Sequence, residues 1–311
     1  MSRLVSLMSG AAAMCCVGGS VAVSGVLADA PLFTTQSLRY AVACLLLLAF
    51  ARTRGVRVRR PRGREWGWLA GIAATGLVVF NVALVQGAQH AEPAVLGVAV
   101  ACVPPLLAVV GPLLEGRGPS RTVLAAAIVV TAGAALVQGL GRTDAAGLAW
   151  AAAAFACEAA FTLLAVPVLG RHGPVGVSVH AVWLAAAMLA VLGAVHEGPA
   201  AVTRLTTREL LAGGYLAVMV TAVAFVLWYG SVARLGAGTA GLLTGIAPVA
   251  AAGTGVALGG PAPQLLVWAG IATVAAGLAL GLRRPGPHAD RERAGDDPGV
   301  TAPVTAAVNP A

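Results

Sequence analysis

Long apolar stretches separated by short polar connections dominate this 311-residue chain. Each stretch has about the 20 residues that an α-helix needs to cross a bilayer, and none shows the alternation typical of a membrane β-strand. The pattern predicts ten transmembrane helices, at residues 7–28, 31–51, 66–88, 93–114, 121–140, 145–167, 174–195, 209–231, 236–258 and 263–282. The predicted fold is therefore an all-α polytopic membrane protein.

Several features of the first half recur in the second half after 143 or 144 residues. The matched pairs are Pro31 with Pro174, Arg64-Glu65 with Arg208-Glu209, Pro104 with Pro248, and Gly133 with Gly277. Five helices per half is an odd number, so the second half must enter the membrane from the opposite side. We therefore expect two inverted five-helix repeats, residues 1–140 and 141–284, followed by a disordered cytoplasmic tail over 285–311, which is rich in proline, glycine and aspartate.

Composition supports a membrane protein, because 59% of the residues are hydrophobic and only 10% are charged. All 20 basic residues are arginines, and ten spans with the N-terminus inside place 16 of them on the inner side and three outside. The positive-inside rule then predicts that both termini are cytoplasmic, in a cell (inner) membrane. The basic loop Arg52–Arg64 is interpreted as a topology signal, and a site for anionic lipid or nucleic acid there is the less favoured alternative.

The N-terminal segment also resembles a secretory signal peptide, because Arg3 precedes an apolar run that ends at Ala28-Asp29-Ala30. Residues 7–28 exceed the usual apolar core of a signal peptide, and their removal would break both the repeat and the charge pattern. They are expected to form the first membrane helix.

Two charged residues, Arg39 in the second helix and Glu158 in the sixth, lie within the predicted spans away from their ends. Each costs about 2.5–3.5 kcal/mol at mid-membrane, and their predicted depths differ by about 8 Å. One interpretation is that they neutralise one another, or bond to backbone carbonyls, merely to hold helices together. In the other, Glu158 binds a proton or a substrate ammonium group while Arg39 binds a substrate carboxylate, which favours an amino-acid-like solute.

Other candidate site residues are individually weak predictions. Pro104 and Pro248 lie mid-span in the fourth helix of each half, where a kink either lines a cavity with freed carbonyls or only packs small-residue helix faces. Further candidates for a mixed polar and aromatic pocket are Gln36, Asn81, Gln86, His180, Trp228 and Tyr229. His180 is alternatively a hydrogen-bonded packing residue, and the two aromatic residues are alternatively interfacial.

The chain resembles the drug/metabolite transporter superfamily, EamA type, across residues 7–284. The residues that carry the resemblance are Pro31 with Leu38-Arg39-Tyr40, Pro104 and Glu115 in the first half, and Pro174, Trp228-Tyr229-Gly230, Arg234-Leu235-Gly236 and Pro248 in the second. The second half departs from the family pattern, since Gly259 and Gly260 stand near the position equivalent to Glu115 and Val182 matches Arg39. The resemblance implies a ten-helix carrier of small organic solutes, often an exporter of amino acids, other metabolites or toxic compounds.

We therefore expect a secondary transporter that exports small metabolites, amino-acid-like solutes or drugs by alternating access. The rival class is a polytopic enzyme acting on a lipid or isoprenoid substrate. The sequence offers no HExxH motif, P-loop or Rossmann glycine pattern for such chemistry. The five cysteines lack metal-ligand spacing. No cofactor, metal or nucleic-acid partner is expected, and proton coupling and a homodimer stay open.

Overall fold

The structure is a computed structural model that describes residues 2–260 and 262–282. Within these residues, ten helices are long and apolar enough to cross a membrane. They are α1 (Arg3–Gly25), α2 (Leu32–Thr53), α3 (Glu65–Gly87), α4 (Pro93–Leu114), α5 (Arg121–Gln138), α6 (Ala145–Leu163), α7 (Val166–His196), α8 (Thr207–Leu235), α9 (Ala237–Ala257) and α10 (Leu265–Leu282). The ten-helix prediction is confirmed, whereas the predicted tail over 285–311 lies outside the described residues.

The clearest difference from the predicted boundaries lies between α6 and α7. The sequence predicts that the sixth helix continues to residue 167, but α6 ends at Leu163 and a new helical segment begins at Val166. Gly173, with φ 67° and ψ 172°, interrupts α7 just before Pro174. Glycine adopts a positive φ without a steric penalty, so this break costs little conformational free energy. Apolar residues on both sides of the turn hide it from a hydropathy pattern.

Helix packing follows the two-fold relation expected of inverted repeats. α1 packs against α8 and α9, and its counterpart α6 packs against α3 and α4. The counterparts α2 and α7 pack directly on each other, as do α4 and α9. These contacts between the halves are either self-paired or matched by a repeat-related contact, and the predicted inverted architecture is confirmed.

The repeated glycines Gly133 and Gly277 lie where α5 and α10 approach closely. A Cβ atom at Gly133 would lie 2.6 Å from the Val274 backbone nitrogen, and one at Gly277 would lie 2.7 Å from Val130 Cγ2. Small residues let membrane helices pack backbone to backbone. The repeat therefore keeps glycine at both positions for packing.

The two faces of the bundle differ in their connections. We call the face with the α2–α3 loop, residues 54–64, the basic face, and the other the opposite face. On the opposite face the Arg142 guanidinium bonds Glu92 at 2.7 Å and holds the pKa of that carboxyl below its usual value. The Gly147 backbone N–H and His90 similarly lower the pKa of Asp144. These contacts tie the α3–α4 turn to the α5–α6 loop.

Candidate functional site

Arg39 lies in α2 and reaches across to α8. Its Nε donates a hydrogen bond to the Thr221 hydroxyl at 3.0 Å, and Nη1 donates to Gln36 Oε1 at 3.2 Å. Thr221 is fully buried in the middle of α8, so the guanidinium lies near the mid-depth of the bundle. A guanidinium carries more N–H donors than these two bonds use, and Nη2 of Arg39 has no acceptor among the described residues. Part of its fork therefore stays available to a carboxylate.

Tyr40 and Asn81 join α2 to α3 beside this guanidinium. The Asn81 side-chain amide donates to the Tyr40 hydroxyl at 3.0 Å and to the Leu77 carbonyl at 2.5 Å. Arg39 Cζ lies 5.3 Å from the centroid of the Tyr40 ring. The structure thus brings Gln36, Arg39 and Asn81 into one polar region, although Asn81 reaches it through Tyr40.

Glu158 is a half-buried residue of α6. Among residues 2–260 and 262–282, no group donates a hydrogen bond to its carboxylate, and no ion pair includes it. It lies within electrostatic range of the Tyr229 hydroxyl on α8. A carboxylate without a partner at membrane depth is costly, which makes Glu158 a candidate functional residue. A proton or a bound ammonium group would remove that cost.

Arg39 and Glu158 do not neutralise one another. No ion pair joins them within the described part of the chain, because Arg39 is bonded to α8 and Gln36, while Glu158 lies farther toward the basic face. The described residues thus show no direct ion pair between the two charges, whereas the bond from Arg39 to Thr221 does hold α2 to α8. The bundle contains a cationic and an anionic group on α2 and α6, one from each repeat.

An aromatic bridge, formed by Phe161, Trp228 and Tyr229, joins α6 to α8 on the basic-face side of Glu158. Trp228 Nε1 donates to the Thr162 hydroxyl at 3.1 Å, and the Tyr229 hydroxyl donates to the Phe161 carbonyl at 3.1 Å. Trp228 and Tyr229 are 2% and 0% exposed. A Cβ atom at Gly76 of α3 would lie 2.7 Å from the Phe161 ring, so glycine is required where the bridge meets α3. The two aromatic residues are buried and are not interfacial.

The aromatic bridge has no counterpart near the opposite face. The positions 144 residues before Trp228 and Tyr229 are Leu84 and Val85, and Val85 is 38% exposed. Neither side chain can donate a hydrogen bond across the gap between helices. The two-fold symmetry is therefore broken at these positions, and the bridge lies entirely within the second repeat.

We predict that Tyr229→Phe weakens this bridge, because the Phe161 carbonyl loses a buried donor. The loss is about 1 kcal/mol, or roughly fivefold in an equilibrium constant. In a variant that keeps only Cys157 of the native cysteines, a water-soluble thiol reagent applied from the basic face should label Cys157 roughly fivefold faster. Tyr215→Phe is the matched control, since Tyr215 is an exposed residue of α8. Equal labelling rates in both variants would contradict the prediction.

Repeat-related π-helical segments lie beside the polar region, at Ile72–Val79 in α3 and Ala217–Val223 in α8. In the second segment the Thr221 hydroxyl donates to the Leu216 carbonyl at 3.3 Å, five residues earlier. π-segments are rare and frequent at functional sites. The sequence contains no motif that identifies them. The internal repeat of the sequence could have indicated only that a π-segment in one half has an equivalent in the other half.

The fourth helix of each repeat is irregular near its proline. α4 is broken at Cys102, two residues before Pro104. In α9 a 3-10 turn over Leu242–Gly245 precedes Pro248. Both prolines are buried, so the irregular turns at equivalent depth face the interior of the bundle.

The break in α4 frees a carbonyl that α5 satisfies. Pro105 has no N–H, so the Ala101 carbonyl four residues earlier lacks its helical donor; it accepts instead from the Thr131 hydroxyl at 3.1 Å. We predict that Thr131→Val lowers the free energy of unfolding by about 1 kcal/mol. The measurement is thermal unfolding in detergent, with Thr273→Val on α10 as the control because Thr273 bonds only its own helix. An equal loss in both variants would refute the cross-helix role.

His180 and Gln86 lie apart from this polar region. His180 Nε2 donates to the Arg59 carbonyl of the α2–α3 loop at 2.9 Å, and its Nδ1 accepts from Trp183 Nε1 at 3.1 Å. Gln86 lies near the end of α3 at the opposite face, and its side chain has no hydrogen bond among the described residues. Neither residue bonds to the groups above, and His180 fits the alternative of a packing residue.

Comparison with known proteins provides independent evidence about the family of this chain. The EamA-like transporter family matches the chain twice, over residues 4–138 and 145–283. A protein of Streptantibioticus cattleyicolor, named a probable terminal-alkyne amino-acid exporter, is 28% identical over 84% of this chain and 86% of its own length. An uncharacterized transporter of Bacillus subtilis, YetK, is 28% identical over 81% of this chain and 78% of its own length. A solved crystal structure with 21% identity covers 90% of this chain and 98% of its own, with a TM-score of 0.75, and shares the fold.

Proposed function

Because the chain belongs to the EamA-like transporter family, we propose that it exports small solutes that carry both an amino and a carboxyl group. Family membership makes it a multi-pass membrane transporter and not the membrane enzyme that the sequence left as an alternative. The amino-acid exporter among its relatives supports the proposed substrate class. Drugs and other metabolites without a carboxyl group would leave Arg39 without a ligand.

The observation that carries the proposal is the pair of opposite charges that do not neutralise each other. Arg39 retains uncommitted guanidinium donors near the mid-depth of the bundle. Glu158 has no partner within the described residues and lies nearer the basic face. A guanidinium fork matches a carboxylate, and a carboxylate matches an ammonium group or a proton. A zwitterionic solute between α2 and α6 would satisfy both groups.

Alternating access requires contacts that close each face in turn. Toward the basic face the aromatic bridge joins α6 to α8. At the opposite face the Glu197 carboxylate of α7 accepts from the Phe33 and Thr34 backbone N–H groups at 2.8 and 2.9 Å, and from the Thr34 hydroxyl at 2.7 Å. We propose that movement of α8 away from α6 opens the bridge, and that the π-segments of α3 and α8 absorb the bending.

The proposed topology places the basic face in the cytoplasm. The arginine bias of the loops supports a cell (inner) membrane location with both termini cytoplasmic. The transport unit would be the two repeats, residues 1–140 and 141–284. A homodimer is not needed for this mechanism, because each chain contains both repeats. Coupling to protons would go through Glu158.

Transport by the purified protein in liposomes tests the proposal. The experiment offers labelled amino acids, their decarboxylated amines and cationic drugs, with and without an imposed pH gradient. Saturable flux of an amino acid that exceeds flux of its amine supports the proposed substrate class. Saturable flux of drugs alone would overturn that class, and equal non-saturable flux of all solutes would overturn a carrier mechanism. The control is the Arg39→Gln/Glu158→Gln double variant.

A further inference from the structure

The α2–α3 loop is held against α7 at successive residues. The Arg59 carbonyl accepts from His180 at 2.9 Å, and the Arg60 carbonyl accepts from Arg171 Nη2 at 3.4 Å. The Arg62 backbone N–H donates to Glu65 at 2.7 Å. These bonds use backbone atoms of the loop, so they fix its path and leave its arginine side chains available.

The fixed loop forms one wall of a hollow of about 720 Å³ on the basic face. We call it the arginine hollow; its lining residues are Arg59, Arg60, Pro61, Arg62, Gly63, Trp66 and Arg171. Four of these are cations, and the carboxylate beside them, Glu65, is already bonded to Arg171 and His172. The hollow therefore has an excess of positive charge.

Membrane topology does not explain this arrangement. The positive-inside rule requires basic residues in a loop, but it does not require that they surround one space. Arg52, Arg54 and Arg57 of the same region satisfy that rule equally well, and they do not line the hollow. Arg171 comes from the second repeat, so the fold has assembled the cationic group from both halves. Glu65 pairs with only one of the four cations, Arg171, and the remaining like charges repel one another unless a further anion binds between them.

We propose that the arginine hollow binds the phosphate group of an anionic phospholipid. Guanidinium forks bind phosphate oxygens through paired N–H donors. The hollow lies at the start of α3, where Trp66 and Trp68 are each 38% exposed, and tryptophan at helix ends marks the headgroup level of a bilayer. A lipid there would connect the α2–α3 loop to α7. This inference is independent of the exported solute, because the hollow lies outside the polar region around Arg39.

The test compares two triple variants of the full chain in nanodiscs. Arg59→Gln/Arg60→Gln/Arg62→Gln removes three arginines of the hollow, and Arg52→Gln/Arg54→Gln/Arg57→Gln removes the same charge from the same region. Native mass spectrometry measures retained phosphatidylglycerol against phosphatidylcholine. We expect the first variant to lose at least roughly tenfold more phosphatidylglycerol retention than the second, because charge-assisted contacts add to the general attraction.

Each other outcome overturns the proposal. Equal losses of phosphatidylglycerol in the two variants would mean that the overall positive charge of the loop attracts the lipid and that the hollow is not a specific binding site. If inorganic phosphate binds the protein in phosphatidylcholine nanodiscs and phosphatidylglycerol shows no preference over phosphatidylcholine, the hollow is a site for a soluble phosphate. If the first variant fails to fold, the lysine variant Arg59→Lys/Arg60→Lys/Arg62→Lys replaces it, because it keeps the charge and loses only the guanidinium forks. We expect it to retain less phosphatidylglycerol than its control, Arg52→Lys/Arg54→Lys/Arg57→Lys.

Discussion

Glu158→Gln is expected to reduce gradient-driven transport strongly while the protein stays folded. Glutamine is nearly isosteric with glutamate but can neither take up a proton nor pair with an ammonium group. A hydrogen bond to a charged group contributes about 1.5–3 kcal/mol, so transport should fall roughly 10- to 100-fold. The measurement is accumulation of the saturable solute in proteoliposomes at several pH values, where the variant should show a flat pH profile.

Glu115→Gln is the matched control for this prediction. Glu115 accepts from the Ala237 backbone N–H at 2.8 Å and pairs with Arg117, so it caps the start of α9 and does not lie beside Glu158. Loss of a cap costs about 0.5–2 kcal/mol of stability. Transport per folded molecule should keep its pH dependence. If Glu158→Gln transports like the parent at every pH, Glu158 is neither a proton site nor an ammonium site.

The membrane architecture follows from the sequence because each helix must satisfy its own backbone and match the bilayer in length. Those two constraints act within a segment and need no knowledge of its neighbours. The inverted arrangement follows in turn from an odd number of spans per repeat. Boundaries are less determined: the turn at residues 164–165 and the break at Gly173 depend on backbone geometry that hydropathy does not carry.

The charged candidates could be found from sequence because a charge at membrane depth is costly wherever it points. The residues that bond to these charged groups could not be found from the sequence. Thr221, the acceptor of the Arg39 Nε bond, lies in the π-helical segment of α8, where the residues are rotated relative to a regular helix. The aromatic bridge likewise depends on how α6 and α8 cross. Both are tertiary properties, and no local pattern around Trp228 or Tyr229 indicates them.

One departure from the family pattern has a structural explanation. Glu115 caps α9, but the repeat-related region at the end of α9 carries Gly259 and Gly260. The helix that a carboxylate there would cap is α4, which begins with Pro93 at its first position. Proline has no N–H to be capped. The second repeat can therefore dispense with the carboxylate, and the two faces are held by different contacts.

Arg39→Lys should weaken transport of carboxylate-bearing solutes roughly 10- to 100-fold, because lysine keeps the charge but loses the planar fork. The bond from Arg39 Nε to Thr221 is lost as well, so a purely structural effect has to be separated from a binding effect. The measurement is the KM for an amino acid that the parent transports, compared with the KM for its methyl ester, which lacks the carboxylate.

A carboxylate site predicts that Arg39→Lys raises the KM for the amino acid and leaves that for the ester nearly unchanged. A structural role predicts that the change impairs both solutes equally, and that Thr221→Val, which removes the acceptor of Arg39 Nε, reproduces the loss. Arg54→Lys is the control for the substitution itself, since Arg54 is exposed at the end of α2. Because the guanidinium keeps donors that no described residue uses, we expect Arg39→Lys to raise the KM for the amino acid and not the KM for its ester. Equal impairment of both solutes would mean that Arg39 does not bind a substrate carboxylate.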